Sequence, residues 1–337
     1  MIIAQGVVII SVVVVKTWRR LSRKSVEPDT ERGPPRKALA PRLTVFRLAH
    51  LSDPHLTPPP LPFRWRDVAS KRLLSRVAWR RKHHRHSEPV LDLITADIRN
   101  HAPDHIALTG DLTNFATPQE FAAARAWLET LGDGSAVTVS PGNHDALMSR
   151  DTPDRFAPWR PWLADDGEAD FPHLRVRGPV AIINLSSAVP TPIHLAQGRL
   201  GAAQIERAAR LLGETGARGL YRVVLVHHPV SAGVVSRRKS LADGEALRAV
   251  LKTVGAELVL HGHAHKALLT RTAGPAGDIP VMGVPSASTP AGLPDDQAAR
   301  WNEIEIVREG AAFRTRITVH GVTSALTVET LGRYVLV

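Results

Sequence analysis

Short apolar runs that end at a polar or glycine position recur along the chain, and stretches of helical period separate them. Residues 43–51 alternate and then turn apolar, and 106–109 form an apolar run that stops at Gly110. Residues 136–140, 180–187, 222–226 and 257–260 repeat the theme. Runs of this length bounded by turn residues predict buried strands. Helices are expected over 90–100, led by Glu88 and Pro89, and over about 119–131, 204–212 and 244–254. Residues 151–170, with three prolines, Trp159 and Trp162, read as a loop-rich excursion. Beyond residue 265 the alternation of strand and helix stops: 279–284, 303–307, 313–319 and 334–337 read as consecutive strands. The early alternation implies a parallel or mixed sheet, and the strand-rich tail implies a second sheet packed against it.

What the runs end in changes the picture. In order, the strand ends carry Asp53-Pro54-His55, Gly110-Asp111, Gly142-Asn143-His144-Asp145, His227-His228, and Gly262-His263-Ala264-His265. Ligands of open α/β sheets bind beyond the carboxyl ends of strands. One histidine beside an apolar run is ordinarily a satisfied core residue. Five successive strand ends bearing carboxylate, carboxamide or imidazole groups are not explained that way. Such a set suits a pair of divalent ions: about 3.5–4 Å apart, they repel each other unless a carboxylate bridges them. Imidazole and carboxylate donors suit Mn, Fe, Zn or Ni and do not choose among them. The sequence has no cysteine, which removes thiolate zinc sites, cysteine nucleophiles and disulfides, while its 16 histidines are ample for nitrogen ligation. There is no internal repeat and no glycine-rich phosphate loop; Gly132-Asp133-Gly134 reads as a turn.

Taken together, these blocks resemble the calcineurin-like metallophosphoesterases, whose pattern is D-x-H, G-D, G-N-H-D/E, H and G-H-x-H in that order. The match runs from Asp53 to His265. The resemblance implies an α/β fold, a four-layer αββα sandwich of two mixed sheets flanked by helices. It implies two divalent metal ions as cofactors. Asp53, His55 and His265 would hold one ion, Asn143, His227 and His263 the other, and Asp111 would bridge both. His144 would stabilise or protonate the leaving oxygen. The activity implied is hydrolysis of a phosphodiester or phosphomonoester by a metal-bridging hydroxide. His227 directly ends its strand and is taken as the ligand, leaving His228 and Pro229 to shape the loop or face substrate. His50 and His261 are expected to support or pack. His83, His84 and His86 sit among nine Lys and Arg with no carboxylate partner, and read as basic surface rather than a further metal site.

Substrate class is less sharply written. The protein Ser/Thr phosphatases of this family carry G-D-x-V-D-R-G, whereas Gly110-Asp111-Leu112-Thr113-Asn114-Phe115-Ala116 lacks the arginine. Together with Glu120 and Phe121, the segment is more similar to small bacterial phosphodiesterases of the cyclic-nucleotide class. The net charge of +11 is uneven, and residues 57–87 concentrate nine basic side chains with Trp65 and Trp79 against the single acid Asp67. That insertion is either a solvated surface or a basic lid, with a short helix over 68–79. A lid would suit a lipid phosphoester or a UDP-diacylglucosamine-type pyrophosphate, the second reading of substrate. Nuclease activity ranks lower, because the basic residues do not follow a groove. A non-catalytic binding module is disfavoured because no ligand residue is missing.

Residues 1–15 are uncharged and rich in Ile and Val, and basic residues follow through Lys24. As a helix they would span about 22 Å of a hydrocarbon core roughly 30 Å thick. Residues 1–24 are thus either a membrane anchor or an apolar tail, 25–42 a proline-rich linker, and 43–337 the catalytic domain, with 279–337 its strand-rich end. With the positive charge following the apolar run, an anchor would leave the domain on the cytoplasmic face.

Overall fold

The computed structural model describes residues 45–59, 83–147, 154–165, 170–192, 194–294 and 297–336. The expectations for 1–24, 25–42 and most of the 57–87 insertion fall outside them. In chain order the strands and longer helices are β1 (Val45–Leu51), α1 (Glu88–His101), β2 (His105–Leu108), α2 (Pro118–Leu131), β3 (Val137–Val139), β4 (His173–Arg177), β5 (Val180–Asn184), α3 (Ala202–Ala217), β6 (Tyr221–Leu225), α4 (Gly244–Val254), β7 (Leu258–His261), β8 (Leu268–Ala273), β9 (Asp278–Gly283), β10 (Arg300–Glu309), β11 (Ala312–Val322) and β12 (Val328–Leu336).

Period-two alternation inside the apolar runs sets the layers. Val180 and Ile182 of β5 and Val223 and Leu225 of β6 enter one buried cluster, together with Leu48 of β1, Ala107 of β2 and Ile304 and Ile306 of β10. That cluster joins strands of two different sheets, so it is the layer between them. The intervening residues Ala181, Ile183 and Val224 turn instead toward the helical side, where Ile205, Ala208 and Leu212 of α3 and Leu247 and Leu251 of α4 meet them. On the other outer face, Ala49, Leu51, Ile106 and Leu108 meet Ile94 and Ile98 of α1 and Ala124 and Leu128 of α2. Helix, sheet, sheet and helix follow in that order. Strands covered on both faces need apolar residues at nearly every position, which is why the runs look continuous.

The sheets run β12-β11-β10-β1-β2-β3 and β4-β5-β6-β7-β9-β8. Both are mixed: β1 is parallel to β2 but antiparallel to β10, and β9 is parallel to β7 but antiparallel to β8. The tail therefore does not build a second sheet of its own. β9 extends the sheet of β4–β7, and β10–β12 extend the sheet of β1, whose free edge takes β10 in register from Val45↔Val307 to His50↔Asn302. Two strands escape the sequence pattern, β4 and β8, and the region 151–170 contains a short helical turn, Arg160–Leu163, that buries Trp162. Among the described residues, no helix is long and apolar enough to cross a membrane.

Candidate metal centre

β1, β2 and β3 are parallel neighbours, as are β6 and β7, so their carboxyl ends deliver the five loops to one region. Backbone bonds stitch the loops together: Asp53 N–H donates to Gly110 O (3.0 Å), His55 N–H to Asp111 O (3.1 Å) and Gly262 N–H to His227 O (3.1 Å). Across the sheets, His263 N–H donates to Asp53 Oδ2 at 3.0 Å. Two of the motif glycines are required by space. A Cβ at Gly110, whose φ is +93°, would lie 2.6 Å from Gly142 N, and one at Gly142 would lie 2.2 Å from Asp111 Oδ1. Asp53, His55, Asp111, His263 and His265 all hold positive φ, between 42° and 63°. Such backbones cost of order 1–3 kcal/mol each and persist where the surroundings over-determine them.

Two groups of donors result. One oxygen or nitrogen from each of Asp53, His55 and His265 lies within 4.8 Å of the others, and the same holds for Asp111, His227 and His263. Asp111 lies between the groups, with Oδ2 3.3 Å from His227 Nε2 and 3.9 Å from His55 Nε2. Asn143 Oδ1 is 3.2 Å from His227 Nε2. His144 joins through its backbone N–H, which donates to Asp111 Oδ1 at 2.7 Å, and its ring lies edge-on to His55 with centroids 5.0 Å apart. His228 turns away, with Nδ1 2.8 Å from Ser187 Oγ and Nε2 3.1 Å from Ala196 O. His50 and His261 are buried beside the loops, His50 Nε2 meeting Thr109 Oγ1 at 3.0 Å.

Hydrogen bonds fix which nitrogen of each imidazole faces the centre. His227 Nδ1–H donates to Thr109 O at 2.6 Å, so Nε2 presents a lone pair to the oxygens of Asp111 and Asn143. Asn114 gives its amide N–H to Leu56 O (2.7 Å), so its carbonyl oxygen accepts from His55 Nδ1–H (3.2 Å) and leaves His55 Nε2 free of that bond. Lone pair facing lone pair is repulsive unless a cation sits between them. In the protein alone that cation is a proton: burial lowers the His227 pKa, but the adjoining Asp111 carboxylate outweighs it and holds the imidazolium up to about 9. Burial likewise raises Asp53, and the charge and hydrogen bond of His265 overcome it, leaving Asp53 at about 2. His263 Nε2 is buried with no hydrogen-bond partner. Convergent lone pairs, buried carboxylates and an orphaned imidazole nitrogen fit a divalent cation better than they fit protons.

The stretch that carries all five loops, residues 46–267, matches the family model described as calcineurin-like phosphoesterase. The chain belongs to the calcineurin-like phosphoesterase family. It is a metal-dependent phosphoester hydrolase. A probable cyclic nucleotide phosphodiesterase of Synechococcus is 29% identical over 226 residues, covering 66% of this chain and 80% of the relative. The fold is shared with the dimetal phosphatase of Danio rerio (TM-score 0.50, 12% identity, 85% of this chain and 98% of that one). It is also shared with a purple acid phosphatase of yellow lupin, Lupinus luteus (TM-score 0.56, 12% identity, 87% of this chain and 54% of that one).

Three residues of this phosphoesterase site carry roles that their residue types did not announce. Asp145, buried, accepts from the N–H groups of Asp111, Gly142 and Thr113 (2.9 Å each) and from Thr113 Oγ–H (3.0 Å). Glu120 accepts from the N–H groups of Asn114 (2.9 Å), Phe115 (3.1 Å) and Thr117 (3.0 Å) while completing the capping box of α2. His86 is not basic surface: it is half-buried, its ring centroid is 4.4 Å from that of His55, and its Nδ1 is 2.9 Å from Ser288 Oγ. Of the three, Asp145 stands in the Gly-Asn-His-Asp motif and Glu120 at the i,i+3 spacing of a capping box with Thr117.

Proposed function

We propose that this phosphoesterase hydrolyses phosphodiesters at a two-ion centre. Asp53, His55 and His265 hold one ion, Asn143, His227 and His263 the other, and Asp111 spans the two. The reading rests above all on the Asp111 carboxylate, which faces a ring nitrogen of each group, His227 at 3.3 Å and His55 at 3.9 Å. Divalent ions bound there would lower the pKa of water from 15.7 to about 7 and neutralise charge on a phosphoryl oxygen. The protein's own part is to orient and to move a proton. Asn114 O and Thr109 O hold the His144 and His227 rings through their Nδ1 atoms, at 3.0 and 2.6 Å. His144 consequently takes up and releases its mobile proton at Nε2, and it gives that proton to the leaving oxygen as the phosphorus–oxygen bond breaks. Asp145 and Glu120 keep the Asp111 and Asn114 loops at the spacing this needs.

Two observations favour diesters: the Gly110-Asp111 loop continues without an arginine, and the Synechococcus relative is named a probable cyclic nucleotide phosphodiesterase. A second reading, a lipid phosphoester or UDP-diacylglucosamine-type pyrophosphate, draws on a cavity of about 350 Å³ beside His55 and His86. Leu56, Pro58, Leu91 and Trp127 give it apolar walls suited to an acyl chain or an aromatic base. With Mn2+ added, bis-p-nitrophenyl phosphate and cyclic AMP should be hydrolysed faster than p-nitrophenyl phosphate, and the Asp111→Asn variant should lose both activity and bound metal. Preference for a nucleotide-linked lipid moves the assignment to the second reading. Failure on all four substrates with metal bound refutes the function.

A further inference from the structure

A third cluster of ligand types lies at the far end of α1 from the phosphoesterase loops. Asp97 and His101 occupy the last two turns of α1, four residues apart and hence on one face of the helix. His320 of β11 faces them, and a ring nitrogen of each histidine and an oxygen of Asp97 lie within 4.8 Å of one another. His101 is about 20 Å along the helix axis from its first turn, the end that follows His86.

We infer that Asp97, His101 and His320 form a site for a divalent transition-metal ion such as Zn2+ or Ni2+, clamping α1 onto β10 and β11. The donor set, two imidazoles and a carboxylate, suits these ions. More telling is what holds each donor. Ligand imidazoles ordinarily give their second ring N–H to a carbonyl or carboxylate. His101 Nδ1 lies 2.8 Å from the Asp97 backbone carbonyl and 3.6 Å from Asp97 Oδ1; with its proton given to that carbonyl, Nε2 keeps the lone pair. His320 Nε2 faces the Glu303 carboxylate, 3.6 Å from Oε2, and its Nδ1 lies 3.8 Å from Asp97 Oδ2. Asp97 Oδ2 is itself fixed by Trp301 Nε1–H at 2.8 Å, and the Trp301 ring stacks on His320 at 4.3 Å and 9°.

His320 is only 4% exposed, whereas the His101 side chain is 34% exposed and gives an ion access from solvent. The carboxylates of Asp97 and Glu303 flank the His320 ring, and carboxylate beside imidazole is a donor set that suits a divalent ion. The β11–β12 register also slips between Val319 and His320, an irregularity of the kind that re-aims a side chain.

The test is metal stoichiometry on the full chain, stripped with a chelator and titrated with Zn2+. Wild type should bind one equivalent more than His101→Ala and Asp97→Asn, whatever number the phosphoesterase centre holds, and both variants should keep phosphodiesterase activity within twofold. Ni2+ should quench part of the tryptophan emission in wild type through Trp301, and that part should vanish in His101→Ala. His101 is the part-exposed final residue of its helix, so this variant keeps the fold, which circular dichroism checks. Equal stoichiometry and equal quenching in wild type and both variants overturn the site. Because the readout is a difference between proteins with an intact phosphoesterase centre, its failure is separate from failure of the proposed hydrolysis.

Discussion

His144 has one ring nitrogen committed to Asn114 O and a backbone N–H committed to Asp111, so Nε2 is the ring atom left to carry a mobile proton. Loss of a general acid costs about 10²–10⁴ in rate. His144→Asn should therefore lower kcat by that order while leaving bound metal unchanged. The loss should be smaller for esters of p-nitrophenol, a weakly basic leaving group that needs little protonation, than for alkyl esters. Equal losses across a leaving-group series would remove the proton-donor role. Asp145 makes a different prediction. Its carboxylate takes four hydrogen bonds, and in Asp145→Asn the new amide N–H2 would face N–H donors. Leaving buried donors unsatisfied costs about 1–3 kcal/mol each, so urea unfolding should show destabilisation of that order, with weaker metal binding. The ligand types at the five strand ends were legible in the sequence because they stand in short motifs, three of them led by glycine, directly after apolar runs. Asp145 stood in the same motif and Asn114 close by, but most of their partners are backbone groups, and backbone partners leave no mark on composition.

At the scale of elements, the capping box of α2 ties helix formation to the site. Thr117 accepts from Glu120 N–H at 3.2 Å, and Glu120 reaches back to the loop that carries Asn114, which in turn holds His55. Glu120→Ala removes the reciprocal half of the capping box and strands the N–H groups of Asn114, Phe115 and Thr117. It should cost roughly 2–4 kcal/mol in chemical denaturation and raise the metal concentration needed for half-maximal activity. Stability lost with unchanged metal dependence would leave Glu120 a helix cap alone. The strands missed in the sequence, β4 and β8, are the two outer strands of their sheet, and β12, recognised only at its end, is an outer strand of the other. An edge strand has one ladder unpaired and often one face in solvent, so its residues, such as Leu-Leu-Thr-Arg-Thr-Ala in β8, mix exposed polar and apolar positions without a continuous run.

For the whole molecule, burial of neutral histidines sets how stability responds to acid. His105, at the start of β2, is held neutral: burial first, then Arg175 and Arg177, lower its pKa from 6.5 to about 3. The folded state refuses a proton that the unfolded chain accepts, so its contribution is complete above pH 6.5 and is lost as pH falls toward 3. At pH 5 that amounts to about 2 kcal/mol. Unfolding free energy should fall between pH 7 and pH 5, and His105→Gln should flatten the decline by about that amount; an unchanged slope would show that His105 takes its proton in the fold. The alternation of apolar runs with helical stretches pointed to parallel or mixed sheet, and the four-layer α/β architecture followed from the family resemblance of the motifs. The assignment of the tail to sheets could not, since nothing in the local pattern of 303–307 says that its partner is β1.

That pairing has a consequence for biogenesis. β1, which feeds Asp53 and His55 into the centre, is flanked by β2 on one side and by β10 on the other, about 250 residues later in the chain. A ribosome emitting this polypeptide exposes one edge of β1 until residues 302–307 have left the exit tunnel, and closing so long a loop is entropically slow. During that interval the unpaired edge is open to other strands, so the yield of active enzyme depends on how soon residues 302–307 arrive.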